Sequence, residues 1–349
     1  MSARHPVLGF VGIHSGGRTD QPVSQNEVLA GLFEQDGYEV RRASAVRNPY
    51  LRSLHHLFAI LAWRRVDLLV VAVFSGRSFW MAELATVAGR LTGKHSVLFL
   101  HGGNLPVYGP AHRRRVERVL GRAELVLAPS DYPAETFRAW GVDVRVIPNV
   151  LDVDRYDGTP RASAAPNLLW MRTFHEHYNP LMAVRVLARV VQTHPEARMT
   201  MAGADHGLLA ATRREAERLG LVDQIVFPGY LGFEEKLAAF AAHDLFLNTN
   251  VVDNMPVSVL EASASGLVPV ATAVGGLPAI ITDGDNGVLV DSDDDAAMAD
   301  AVLGLVADDA RFAEMSDAAR GMAARSSWPS VRQRWEEELT LVLPELQLG

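Results

Sequence analysis

The stretch Asp253-Asn-Met-Pro-Val-Ser-Val-Leu-Glu261-Ala, followed by Ser265-Gly266 and then Val268-Pro-Val-Ala-Thr-Ala-Val-Gly-Gly-Leu-Pro278, decides the fold of this 349-residue chain. Pro256 suits the first turn of a helix, Ser265-Gly266 suits its end, and 268–272 is a β-rich apolar run. The same alternation recurs outward in both directions. Strands are expected near 7–13, 39–41, 68–73, 97–100, 125–128 and 144–147 in the first half, most of them short apolar runs. Runs at 168–171, 198–202, 225–227, 244–247, 268–272 and 287–290 predict a second series, with helices between. Strands apolar on both faces and separated by helices form parallel sheets. The expected class is therefore α/β, with two Rossmann-like domains facing across an interdomain cleft.

The first domain is expected over 1–155 and the second over 165–327. Asn149 to Pro166, with Asp152, Asp154, Asp157, Gly158 and two prolines, forms the linker. A last helix follows Ser326-Ser-Trp-Pro329, and its residues 330–349 are expected to pack back on the first domain.

Open parallel sheets bind ligands at the carboxyl ends of their strands, where helix N-termini offer amide donors and a dipole that favours phosphate. A helix starting near Pro256 leaves Asp253 in the preceding loop and Glu261 about one and a half turns inside. The amides of Asn254, Met255, Val257 and Ser258, around Pro256, then suit a diphosphate, and Glu261 suits two ribose hydroxyls. An ordinary helix with an N-terminal proline and a solvated acid has the same letters.

This segment is similar to the Glu-x7-Glu region of the family 4 retaining glycosyltransferases, which have the two-domain fold called GT-B. Further resemblances follow in order along nearly the whole chain. Gly16-Gly17 after the first strand looks like that family's glycine-rich loop, and Val126-Leu-Ala-Pro-Ser130 and Val146-Ile-Pro-Asn-Val150 like the elements closing its first domain. Met171-Arg172 resembles its Gly-Arg, Phe227-Pro-Gly229 the turn over the donor base, and Trp328 the aromatic opening the terminal helix. Two departures stand out. Asp253 replaces the commoner Glu, and Phe174-His-Glu-His-Tyr-Asn179 offers His177 where a lysine usually follows the arginine.

His101 closes the strand Leu98-Phe-Leu-His101 ahead of Gly102-Gly103-Asn104, at the end of a sheet where functional groups are presented. The resemblance implies that it contacts the donor sugar; a strand-end histidine satisfied by backbone is the alternative. The fork of Arg172 suits phosphate oxygens. The expected catalytic set is His101, Arg172 and Asp253. The expected donor set is Gly16, Gly17, Arg172, Gly203, Gly229, Asn254, Met255, Pro256, Val257, Ser258 and Glu261.

Asp291-Ser-Asp-Asp-Asp295 invites a metal reading, but acids between a strand and a helix near Ala296 read better as a cap. No metal and no cofactor are expected. Leu51 to Arg65 and His112-Arg-Arg-Arg-Val-Glu-Arg118 mix apolar and basic residues. They read first as buried helix faces with solvated arginines, and second as contacts with an anionic membrane or lipid-linked acceptor.

Composition narrows the classes. No cysteine means no disulfide, thiolate nucleophile or iron–sulfur cluster, which fits a cytoplasmic protein with at most peripheral membrane contact. A net charge of −8 argues against nucleic acid as partner. No apolar run approaches the roughly 20 residues that cross a bilayer. Neither Gly-x-Gly-x-x-Gly after the first strand nor a P-loop is present. The resemblance implies a metal-independent retaining transferase moving a hexose from a UDP- or GDP-sugar to a glycan, lipid-linked or small-molecule acceptor. An epimerase or phosphorylase of the same fold, or a non-catalytic sugar-nucleotide sensor, is the alternative.

Overall fold

The computed structural model describes residues 5–14, 23–46, 48–156, 158–159 and 161–343. The chain divides into two compact units, Met1–Val150 with Trp328–Gly349, and Leu151–Ser327.

In the first unit, β1 (Leu8–Val11), β2 (Val40–Ala43), β3 (Leu68–Val73), β4 (His95–Leu100), β5 (Leu125–Ala128) and β6 (Val144–Val146) alternate with α1 (Gln25–Gln35), α2 (Pro49–Ala62), α3 (Phe79–Leu91), α4 (Leu105–Ala111), α5 (Arg113–Leu120) and α6 (Asp131–Arg138). The strands form one parallel sheet in the order β2-β1-β3-β4-β5-β6. All six residues of β3 are buried, as expected of a central strand covered on both faces. Ile60, Val71, Phe79 and Val119 fill one side of this sheet. Phe10, Phe33, Trp328 and Trp335 fill the other. Helix α14 (Trp328–Val342), the last among the described residues, supplies those tryptophans. Phe33 meets Trp328 edge-on at 5.0 Å, and Trp328 Nε1 donates to Asp36 at 2.7 Å.

The second unit contains β7 (Asn167–Met171), α7 (Pro180–Val190), β8 (Arg198–Ala202), α8 (Leu209–Arg218), β9 (Ile225–Gly229), α9 (Phe233–Ala242), β10 (Leu245–Asn248), α10 (Val257–Ala264), β11 (Val268–Thr272), α11 (Leu277–Ile280), β12 (Val288–Val290), α12 (Asp295–Val306) and α13 (Asp309–Ala324). Its parallel sheet runs β12-β11-β10-β7-β8-β9. Strand order reverses between β7 and β10, so the loops after these two strands diverge and leave a crevice at their carboxyl ends.

Helix α10 begins at Val257, with Pro256 in extended conformation as its N-cap, in line with the expected start near Pro256. Two expectations need correction. Phe227-Pro-Gly229 is not a turn, because β9 continues to Gly229, paired with Ala202 across an irregularity in the β8 register. The segment 149–166 is more than a spacer, since Val153–Arg155 forms a turn of 3-10 helix that fixes Tyr156. The acidic run behaves as a cap: Asp294 accepts from the Ala297 amide at 2.8 Å, while Asp293 and Asp295 take Arg185 and Arg189.

Candidate active site

The crevice at the β7/β10 reversal gathers Arg172, Asp253 and Ser258. Arg172 immediately follows β7, and its Nη2 donates to Asp253 Oδ2. Its Nη1 lies 3.4 Å from Ser258 Oγ, and the guanidinium stacks 4.1 Å over the Tyr178 ring. The Arg172 Nε hydrogen is buried with no partner. Two glycines make this geometry possible. A Cβ on Gly203 (φ +151) would stand 1.8 Å from the Arg172 carbonyl, and one on Gly275 (φ +57) 1.8 Å from the Asp253 carbonyl. Neither position admits a side chain without moving the loop.

Asp253 is fully engaged. Oδ2 also accepts from Asn250 Nδ2 at 2.6 Å, and Oδ1 from the Asn254 amide at 2.7 Å. The carboxylate therefore acts here as the anchor of the loop and of the Arg172 fork. The Asn254 amide is thus not free for a ligand, contrary to the expectation from sequence. Met255 and Pro256 are buried, so the first-turn amides of α10, those of Val257 and Ser258, are what remains of the expected anion cradle.

Glu261 occupies the predicted helix, but with two neighbours the sequence did not reveal. Tyr156 Oη donates to Glu261 Oε1 at 2.9 Å, and Lys236 Nζ from α9 pairs with the same oxygen. The side chains of Lys236 and Glu261 are 19% and 13% exposed. Burial, then the neighbouring Glu261 charge, raises the Tyr156 pKa well above that of a free phenol, so it donates throughout the neutral range. With Oε1 taken twice, Oε2 is the acceptor left for a ligand hydroxyl. Nothing in the letters links Tyr156, Lys236 and Glu261; only folding brings 105 and 25 residues of separation together.

Gly229 (φ +86) lies at the end of β9, where its carbonyl accepts from the Gly203 amide at 2.7 Å. Among the described residues, His175, Glu176 and His177 form one group able to hold a metal ion. They occupy a turn of 3-10 helix after β7, and His175 Nδ1 already accepts from the His177 amide at 3.2 Å.

In the first unit, His101 follows β4. Its ring contacts Phe99 at a centroid distance of 4.1 Å, and Nε2 is buried without a partner. Burial lowers its pKa to about 4, so the ring is neutral at pH 7. Gly102 has a packing reason beyond any ligand, since a Cβ there would come within 3.1 Å of the 74–75 backbone. Gly16 and Gly17 lie outside the described residues. Just before them, at the carboxyl end of β1, stands a buried polar group that the sequence reading missed. His56 Nε2 donates to the Gly12 carbonyl at 3.0 Å, while both ring nitrogens of His14, both side-chain polar atoms of Asn26 and His56 Nδ1 are buried without partners. Burial lowers the His14 pKa and brings that of His56 to about 4.

Comparison with known proteins fits this arrangement. Residues 15–155 match the profile described as Glycosyltransferase Family 4, and residues 165–308 that described as Glycosyl transferases group 1. A D-inositol 3-phosphate glycosyltransferase of Corynebacterium jeikeium is 28% identical over 63% of this chain and 58% of its own length. A GDP-mannose-dependent alpha-(1-6)-phosphatidylinositol monomannoside mannosyltransferase of Mycolicibacterium smegmatis is 28% identical over 73% of this chain and 72% of its own length. The matches to further inositol phosphate enzymes span less of those proteins, 38% and 35% of their lengths. Among solved structures, HepE of Anabaena in complex with UDP-glucose superposes with a TM-score of 0.76 at 18% identity, covering 96% of this chain and all (100%) of that one. Sucrose-phosphate synthase of Thermosynechococcus elongatus gives a TM-score of 0.80 at 17% identity, covering 98% and 100%. With the two family profiles together covering most of both units, the chain belongs to the family 4 glycosyltransferases of the GT-B fold.

Proposed function

We propose that this chain transfers a hexose from a nucleotide-sugar donor to an alcohol acceptor, with retention at the anomeric carbon and without a metal. The observation that carries the reading is the Arg172 fork, anchored by Asp253 and stacked on Tyr178 at the β7/β10 crevice. A guanidinium so held, beside the first-turn amides of α10, neutralises the charge that develops on a departing nucleoside diphosphate. Glu261 Oε2 accepts from ribose hydroxyls, and the neutral His101 ring offers its free nitrogen to a sugar hydroxyl. The acceptor docks on the first unit and the donor on the second. In same-face attack, the acceptor oxygen bonds to the anomeric carbon as the bond to the diphosphate breaks, and the departing phosphate takes the acceptor proton. No side-chain nucleophile is then required. Inositol derivatives, named for two of the relatives, are the first acceptors to try, beside glycans and lipid-linked sugars.

The test is a panel of UDP-, GDP- and ADP-sugars scored by thermal stabilisation with and without EDTA, then by slow donor hydrolysis and by transfer to inositol phosphate. One donor that stabilises the protein in EDTA, with the shift lost in Arg172→Ala, supports the reading. Stabilisation only with a divalent ion would shift attention to His175, Glu176 and His177. Stabilisation without any turnover would favour a sugar-nucleotide sensor.

A further inference from the structure

Helix α2 carries apolar residues on both of its faces. His56 and Ile60 are buried against the sheet, as a covering helix requires. Leu51, Leu54, Phe58 and Leu61 recur at helical spacing on the opposite side, and all four are exposed, Phe58 at 65%. The reading of this segment as a buried face with solvated arginines therefore holds for only one of its two faces. Helix α3 repeats the pattern: Trp80, Val87 and Leu91 form an outward row, exposed at 56%, 38% and 79%. Both helices contribute inward residues to the same core, Ile60 from α2 and Phe79 and Ala82 from α3. They cover one face of the sheet, so their outward rows share one outer surface.

The charge of this surface is opposite to that of the protein. Residues 49–65 and 76–91, which carry α2 and α3, contain five Arg against one Glu, in a chain whose net charge is −8. Helix α2 contains no acid at all. Arg64, Arg65, Arg77, Arg114 and Arg118 are exposed and form no ion pair with any described carboxylate. Arg115 stacks 5.0 Å from the exposed Trp80 ring and pairs with Glu83, the one acid of these two stretches.

We infer that the outer surface of α2 and α3 docks on an anionic lipid bilayer. Rows of Leu, Phe and Trp suit the boundary between headgroups and acyl chains, and unpaired arginines flanking them suit lipid phosphates. A second copy of the chain is the poorer occupant, because a two-fold contact would set two strongly cationic patches against each other. The docking does not depend on which sugar is transferred, or on transfer at all.

The experiment is co-sedimentation of the full chain with vesicles of phosphatidylcholine alone and of phosphatidylcholine mixed equally with phosphatidylglycerol, at low and high salt. Binding is expected only to the mixed vesicles and is expected to weaken as salt rises. Leu54→Glu with Phe58→Glu, and separately Arg64→Glu with Arg65→Glu, are each expected to weaken it by about tenfold or more. These side chains are exposed, so the melting temperature should not move, and unchanged melting certifies that the variants are folded. Equal sedimentation of wild type and both folded variants overturns the inference. So does absence of vesicle binding, and a dimer in solution that the same substitutions dissolve would assign the surface to a second copy instead.

Discussion

Lys236→Met replaces an ammonium by a thioether of similar length and leaves Glu261 with Tyr156 as its remaining partner. The size of the effect follows from burial. Removing one member of a fully buried ion pair costs about 3–5 kcal/mol, and of an exposed pair less than about 1. With 19% and 13% of the two side chains exposed, the loss should lie between those limits, at about 2 kcal/mol. For a unit of this size, that lowers the melting temperature by about 4–8 °C. Because Tyr156 and Lys236 share one oxygen of Glu261, Tyr156→Phe and Lys236→Met should not add, and the double variant measures their coupling. If the pair holds Glu261 so that Oε2 faces the ribose, the nucleotide Kd should rise by about tenfold in Lys236→Met, read by calorimetry with UDP and GDP. Wild-type melting and wild-type affinity together would refute the arrangement around Glu261. Reduced melting with unchanged affinity would leave the clamp as structure and remove Glu261 from the donor site.

Arg172→Lys keeps the charge but loses the fork and the stacking on Tyr178, so donor affinity should fall by about tenfold or more while the unit stays folded, as seen by calorimetry and circular dichroism. Gly275→Ala forces a Cβ to 1.8 Å from the Asp253 carbonyl at a positive φ, and should abolish turnover while lowering the melting temperature. The pKa of His56 falls from 6.5 to about 4 through burial, so the unfolded chain takes up a proton before the folded one. Stability from this group is intact above pH 6.5, is lost as pH drops towards 4, and loses no more below it, for about 3 kcal/mol at full effect. His56→Gln keeps a donor for the Gly12 carbonyl and should flatten the fall in melting temperature between pH 7 and 4; an unchanged slope would show that His56 does not titrate in this range.

The strands were readable because a parallel strand buried on both faces is a continuous apolar run, as Leu68 to Val73 shows, and the intervening helices announce their ends with Pro256, Ser265-Gly266 and Asp294. The site was readable where chemistry and local spacing coincide: Arg172 follows a strand and Asp253 precedes a helix, so topology alone brings them to one crevice. What the letters concealed was set by distance and by surface. Tyr156 sits in a segment that looks like a spacer, and Lys236 on a helix with no motif, yet both converge on Glu261. Phe227-Pro-Gly229 has turn chemistry, but pairing of Gly229 with Ala202 draws it into the sheet. Helix α2 has enough apolar residues for two faces, and sequence periodicity does not say which row meets the core.

The position of α14 sets the order in which the protein can be made. Residues 8–146 supply all six strands of the sheet, but the side of it lined by Phe10, Phe33 and Phe99 is closed by Trp328, Val331, Trp335 and Leu339, which are synthesised only after the whole second unit. The second unit is contiguous in sequence and can finish while that apolar surface still waits. Until synthesis reaches α14, the nascent first unit carries an uncovered aromatic face, and a chaperone that shields such faces has its window there.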